Sequence, residues 1–410
     1  MDETIKSEKK SIFIFVIACF LIYLLLAFMP YILHDKQAVF SYLQGSLNYE
    51  YPRWNAVFLY IIGLASLVIG FFLPKIFKIK TPKLKERIGT VFSDKTFKII
   101  FILYLISVLA NVLVFVLGKG LPILNITLRN TVDSKLIVIA SLQYLYLPII
   151  IVWSIARKKP KIGILLFILS FILLSLLAAR NIVFRSVLAV FLTLFLFDKQ
   201  LMKKTLFWFF LGFIIIFLTV GLVSKSLIYK EKYPLPKLFY APFQLAFTDS
   251  LSSFYNLDKL KQKIDTNGSL KGVALKDSFL NIIPGADVTY ANYKIGEIIT
   301  GEDLRTRQLG NQVFDVHLSL AATDVAVFYI DFKILGVIIA MMILGFIFSI
   351  LTDISLRNLK FLFILSPFMI ELIYSAYAGV YGPNSIIILI ITIIGIGWFF
   401  IKAKKINNLA

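Results

Sequence analysis

Residues 97–117 read FKIIFILYLISVLANVLVFVL, twenty-one residues with a single charge, Lys98, near one end. About 20 apolar residues is the length a helix needs to cross a hydrocarbon core of about 30 Å. Working outward, comparable runs occur at 11–29, 55–73, 135–155, 162–178, 183–197, 205–223, 331–351, 361–381 and 383–401. Ten spans are therefore expected in an all-α, polytopic membrane protein. The composition agrees: 59% of the 410 residues are hydrophobic and 16% charged, and the mean hydropathy is +0.86. The helices must pack on one another, so the chain is expected to form a single membrane domain, 1–410, with one large extramembrane insertion.

The net charge of +20 would fit a nucleic-acid binder if it formed one patch. It does not. The Lys-rich start (Lys6, Lys9, Lys10), Lys75 to Arg87, Arg157 to Lys161, Lys199 to Lys204, Arg357 to Lys360 and Lys402 to Lys405 all fall on one side of the expected spans. That side is cytoplasmic by the positive-inside bias, which puts both termini there and removes the case for nucleic acid as a partner. The first apolar segment is too long for a signal-peptide core and lacks a small-x-small cleavage site, so it is expected to stay as a helix. One cysteine, Cys19, and two distant histidines, His34 and His317, offer no disulfide and no zinc motif. No metal site or cofactor is expected.

On the opposite side lie a loop 30–54, a loop 118–134 (GKGLPILNITLRNTVDS), a tight turn 179–182, and a segment 224–330 between the seventh and eighth spans. An insertion of that length in a compact protein is usually functional when ordered. Within it, Phe239, Phe243, Phe247, Leu251 and Phe254 recur every three or four residues, a helical stripe. Such a stripe either lies in the membrane interface, with Phe243, Phe247 and Phe254 meeting lipid or glycan, or packs on the tops of the spans.

Arginine is unevenly placed. Six of the nine face outward: Arg53, Arg129, Arg180, Arg185, Arg305 and Arg307. Lysine suffices as a topology signal, whereas arginine offers the planar fork that grips phosphate with two parallel hydrogen bonds. Arg180 and Arg185 lie at the N-terminal end of the sixth span, where free N–H groups and the helix dipole favour an anion. Arg185 sits nearly a turn inside the apolar run, where a charge faces a cavity or a partner. The alternatives are snorkelling to headgroups or an ion pair with Glu371, an acid in the middle of the ninth span. Arg305 and Arg307, two residues apart, point the same way in an extended segment and could hold one diphosphate, or they are a solvated pair near Glu302 and Asp303. His317, with an ordinary pKa of ~6.5, suits a general base, and Asp315, Asp324 and Asp249 are carboxylate alternatives. No P-loop, dinucleotide-binding glycine pattern or Ser-His-Asp signature is present.

Three stretches resemble the Wzy-type polymerases, the oligosaccharide repeat-unit polymerases of O-antigen and capsule synthesis. Gly120-Leu121-Pro122-Ile123-Leu124 followed by Arg129 is similar to that family's Gly-x-Pro stretch in an outer loop. Ala179-Arg180-Asn181 running into Arg185 is similar to its small-small-Arg turn, with Ala179 where Ser is common. Asp324 to Gly336 is similar to its aromatic-rich approach to the span after the large loop, with Asp331-Phe332-Lys333 where Asn/Asp-Phe-Gly is usual.

The resemblance implies a multi-pass protein of the bacterial inner membrane whose active site faces outward. It implies a metal-independent glycosyltransferase that joins polyprenyl-diphosphate-linked oligosaccharides, donor and acceptor alike, with inversion. Arg129, Arg180, Arg185, Arg305 and Arg307 would then surround the diphosphate, and His317, Asp315 or Asp324 would take the acceptor proton. A flippase and a chain-length regulator would be its partners beside the lipid bilayer. A ligase of the same architecture is one rival. A transporter or flippase of lipid-linked sugars is another, but the repeated halves and broken helices it would favour are absent from the sequence.

Overall fold

The fold is taken from a computed structural model, which describes residues 2–32, 54–79, 94–122, 134–177, 180–197, 253–280, 283, 291–300, 323–358, 361–378 and 383–407. Among these residues the regular structure is helical. Helix α1 spans Asp2–Ile32, α2 Trp54–Ile76, α3 Asp94–Leu117, α4 Ser134–Ser141, α5 Gln143–Ala156, α6 Pro160–Leu176 and α7 Arg180–Phe197. After α8 (residues 253–267) come α9 Val273–Leu280, α10 Ala291–Thr300, α11 Asp324–Arg357, α12 Leu362–Ala378 and α13 Pro383–Asn407.

Four stretches are long and apolar enough to cross a membrane: Trp54–Ile76, Phe97–Leu117, Leu136–Ala156 and Val325–Arg357. Pro160–Leu176, Arg185–Leu196, Leu362–Ala376 and Ser385–Ile401 are shorter apolar helices. The chain is thus an all-helical, polytopic membrane protein. The expected span 205–223 lies outside the described residues.

Contacts divide the chain into two compact units. One comprises Met1–Lys83, Gln244–Leu356 and Glu371–Ala410, and the other Leu84–Phe243 and Arg357–Ile370.

In the first unit α1 buries Ile12, Val16, Phe20 and Tyr23, spaced at four, four and three residues, while Ile14, Leu21, Ile22 and Leu25 are exposed. That is one face of a helix turned to protein and the other left for lipid. Helices α2 and α11 approach until their backbones touch. A Cβ on Gly70 would lie 2.1 Å from the Met342 carbonyl oxygen, and one on Gly345 would lie 2.1 Å from that of Leu67. Small residues at such crossings let van der Waals packing hold membrane helices together, since lipid tails leave little hydrophobic drive between them. Lys9, read above as a topology signal, also ties α1 to α11: its Nζ lies 2.6 Å from Asp353 Oδ2 and 2.9 Å from Ser349 Oγ.

In the second unit α7 is enclosed on nearly all sides. Ile182, Val183, Val187, Ala189, Val190, Leu192 and Leu194 are all buried. One apolar layer joins Ala110, Val114, Ala140, Leu174 and Leu177 to Ile182 and Val183. A second joins Tyr104, Leu147, Ile150 and Ile151 to Val190 and Leu194. The expected span 135–155 carries a one-residue irregularity at Leu142, which keeps a right-handed helical backbone (φ −62°, ψ −6°). There the Ala140 carbonyl accepts from the side-chain amides of Asn111 (3.3 Å) and Gln143 (3.2 Å), so polar side chains hold the backbone at that irregularity. Helix α5 stops at a left-handed Lys158 (φ 57°), with Lys159 N–H closing onto the Ser154 carbonyl at 2.7 Å, and Pro160 begins α6. This is a C-terminal cap with lysine in the glycine position, followed by a proline that cannot extend the helix but can open the next.

The expected large loop is partly helical. Helix α8 packs Phe254 between Tyr23 and Tyr60, and an ion pair of Lys294 with Asp277 joins α10 to α9. Helix α11 begins at Asp324, inside the stretch expected to form the large loop. Its direction changes at Phe332 (φ −137°, ψ 18°) and Lys333 (φ 53°, ψ −147°), so a short helix precedes the membrane-crossing one.

Candidate functional site

Arg185 lies five residues into α7 and is 3% exposed, set in a helix whose other buried residues are almost all apolar. Its neighbour Ser186 turns its hydroxyl back onto the Ile182 carbonyl at 2.9 Å. A buried guanidinium near the N-terminal end of an apolar helix joins a fixed positive charge to the positive end of the helix dipole. Removing such a charge from water is costly, and in membrane helices it marks function or a specific partner. Arg180 opens the same helix; its side chain is outside the described residues.

Glu371, in α12, is 7% exposed and accepts the Ser385 hydroxyl from α13 at 2.5 Å. Arg185 and Glu371 belong to different units.

A third polar centre sits where α8 meets α11. Asp265 accepts from Lys261 Nζ (2.6 Å) and the Tyr329 hydroxyl (2.5 Å), and Lys333 Nζ lies 4.0 Å away. Burial pushes its carboxyl pKa up, but the hydrogen bonds from Lys261 and Tyr329, with the charges of Lys261 and Lys333, outweigh this and hold it below the ordinary 3.8.

Phe254, expected to meet lipid or glycan if its stripe lay in the interface, is instead fully buried, with ring centroids 5.8 Å from Tyr23 and 5.1 Å from Tyr60. An aromatic ring so enclosed is core, so Phe254 does not present a surface to lipid or glycan. Of the other expected site residues, Arg129, Arg305, Arg307, Asp315, His317, Phe243 and Phe247 lie outside the described residues. Asp324 starts α11, with its side chain also outside. Among the described residues, no group of three His, Cys, Asp or Glu side chains could hold a metal ion.

A multi-pass helical protein with a buried arginine at one helix start fits several membrane enzymes and transporters. The comparison with protein families decides between them: a family model described as "Putative O-antigen polymerase" matches residues 7–391. The chain belongs to the O-antigen polymerase family. The match runs from α1 into α13 and takes in both units and the large loop, so it concerns the whole architecture rather than one motif. Membership makes the chain a membrane polymerase of the glycosyltransferase kind, one that joins repeat units into polysaccharide. No curated protein and no solved structure matches it.

Two acids of this polymerase have long-range partners that no local sequence pattern announces. Asp265 is an ordinary acid on an amphipathic helix until Tyr329, 64 residues away, is brought to it. Asp331, within the aromatic-rich stretch 324–336, is 0% exposed and accepts the backbone N–H groups of Ala274 (3.0 Å) and Leu275 (2.8 Å). Neither contact leaves a local pattern.

Proposed function

We propose that the protein polymerises polyprenyl-diphosphate-linked oligosaccharide repeat units at the outer face of a bacterial inner membrane. It crosses the membrane ten times, keeps both termini in the cytoplasm and presents the large loop, with Phe243 and Phe247 as contacts for lipid or glycan, on the outside. The observation that carries this reading is the burial of Arg185 one turn inside an apolar helix of a chain whose family polymerises sugars. Lipid headgroups are met at the surface, so a buried fork suits a ligand that enters the protein.

In the reaction, a hydroxyl oxygen of the incoming repeat unit bonds to the anomeric carbon at the carrier end of the growing chain. The bond from that carbon to the diphosphate breaks on the opposite face, which inverts the centre. Polyprenyl diphosphate departs with the electron pair, and the hydroxyl proton passes to His317, Asp315 or Asp324. Charge thus accumulates on the leaving diphosphate. Arg185 and Arg180 at the start of α7, with Arg129, Arg305 and Arg307, supply the fixed positive charge that a metal ion would otherwise bring. A flippase delivers the repeat units, and a chain-length regulator limits the product.

The test deletes the gene in its host and sizes the surface polysaccharide on a gel, with the wild-type chain restored in parallel. Loss of the long ladder while single repeat units are still exported supports the polymerase. A ladder that remains on its carrier but never reaches its final acceptor would instead show a ligase. Repeat units trapped inside would show a flippase.

A further inference from the structure

Helix α9 begins after Gly272, a residue with no side chain and a left-handed backbone (φ 92°). The first N–H groups of any helix lack partners within it, and a side chain just before the helix usually accepts one or two of them. Here that acceptor comes from 56 and 57 residues away. Asp331 Oδ1 receives the Ala274 N–H at 3.0 Å and Oδ2 the Leu275 N–H at 2.8 Å. Two backbone bonds run alongside: Leu270 N–H to the Ile330 carbonyl (2.9 Å) and Lys271 N–H to that of Asp331 (3.0 Å). Glycine is favoured at 272, since a side chain would be strained at φ 92° and its Cβ would lie 3.1 Å from the Phe332 ring.

We propose that Asp331 is a positioning residue of the polymerase, acting as the cap of α9 from within the first part of α11 and thereby fixing α9 to α11. The inference rests on the polymerase reading for its functional half only. Four hydrogen bonds converge on residues 330–331, and the carboxylate is fully buried, so its loss leaves buried N–H groups without an acceptor. The knot reaches further. Lys294 ties α10 to Asp277 of α9, and Tyr329 ties α11 to Asp265 of α8. The chain between α10 and α11 carries Arg305, Arg307, Asp315 and His317. Its two flanking helices are therefore linked through α9, by the Lys294–Asp277 pair at one end and the Asp331 cap at the other. Asp331 touches no reacting atom in this scheme; it ties together the helices at the two ends of that stretch.

The experiment uses the full-length protein, purified in detergent and also restored to the deletion host, as wild type, Asp331→Ala and Asp331→Asn. Hydrogen exchange is read over residues 270–280 and over the rest of the chain, and polymer is sized at matched membrane content. In Asp331→Ala, exchange at Ala274 and Leu275 is expected to quicken by about tenfold, the effect of losing a helix cap. Protection in α2 and α7 stays as in the wild type. Polymer output falls, with Asp331→Asn, which keeps one acceptor oxygen, between the two in both readouts. Unchanged exchange at 274–275 would overturn the cap. Protection lost evenly along the chain, or full polymer output despite faster local exchange, would overturn the positioning role. If Asp331→Ala does not accumulate, Asp331→Asn decides by the same criteria. If the wild type itself makes no polymer, the polymerase reading fails while the exchange data still decide the cap.

Discussion

The ring of Phe254 stacks on that of Tyr23 with centroids 5.8 Å apart, and both pack against Tyr60. A helix of the large loop is thereby seated on the first two helices of the chain.

Replacing Phe254 with Ala empties that seat. A buried Phe→Ala change costs about 3–5 kcal/mol where the surroundings cannot collapse. The thermal midpoint of the detergent-solubilised protein should fall, and proteolysis should open first within 253–280. Phe254→Leu, which keeps most of the volume, should fall less. An unchanged midpoint for the Ala variant would mean the triad does not hold the loop.

Gly70→Ala and Gly345→Ala should each reduce the yield of folded, monodisperse protein. A methyl group 2.1 Å from a facing carbonyl forces the α2 and α11 backbones apart, and overpacking of this kind costs about 1–3 kcal/mol or more. Gly397 is the control. A Cβ there meets nothing within 4 Å, so Gly397→Ala should be neutral or slightly stabilising through its better helix propensity.

The Asp265 carboxyl titrates below its ordinary 3.8 because Lys261 and Tyr329 hydrogen-bond its charged form. A folded-state pKa below the unfolded one gives stability that is present above the unfolded value and lost as pH falls through the folded one. The gap in thermal midpoint between wild type and Asp265→Asn should therefore be full near pH 6 and close below pH 4. The group is well exposed, so the gap is small. A gap that stays constant down to pH 3 would contradict the assignment.

Lys333 holds φ 53° and ψ −147°, a region that L side chains occupy at a cost of about 1–3 kcal/mol. Its 4.0 Å contact with Asp265 joins two substantially exposed groups and contributes about 1 kcal/mol at most. Lys333→Gly should therefore raise the thermal midpoint. A lower midpoint would show that the ion pair outweighs the backbone strain.

Much of the helical layout was legible because apolar run length is a strong signal. The expected 162–178 and 183–197 appear as Pro160–Leu176 and Arg180–Phe197; for Arg185 the sequence left burial and snorkelling both open, and its side chain is buried. Contacts from distant side chains and bends without a glycine were not legible. Beside Leu142 the Ala140 carbonyl accepts from Asn111 of α3, a partner 29 residues away, and the bend at Phe332-Lys333 uses a lysine where glycine would have announced a turn. Phe254 was ambiguous for a different reason: a helical stripe records that a face is apolar, and the same stripe serves lipid or core. Asp331 caps a helix from 57 residues away, so no window of sequence shows the pair.

In the proposed mechanism the buried Arg185, near the start of α7, stabilises the leaving diphosphate, and Arg185→Lys probes that role. Lysine keeps the charge but loses the two-pronged fork. In the deletion host, at matched membrane levels, polymer formation should fall by roughly 10²–10³. Arg157→Lys, at a site where the guanidinium lies over Trp153, should leave the ladder intact. A near-normal ladder from Arg185→Lys would contradict that role.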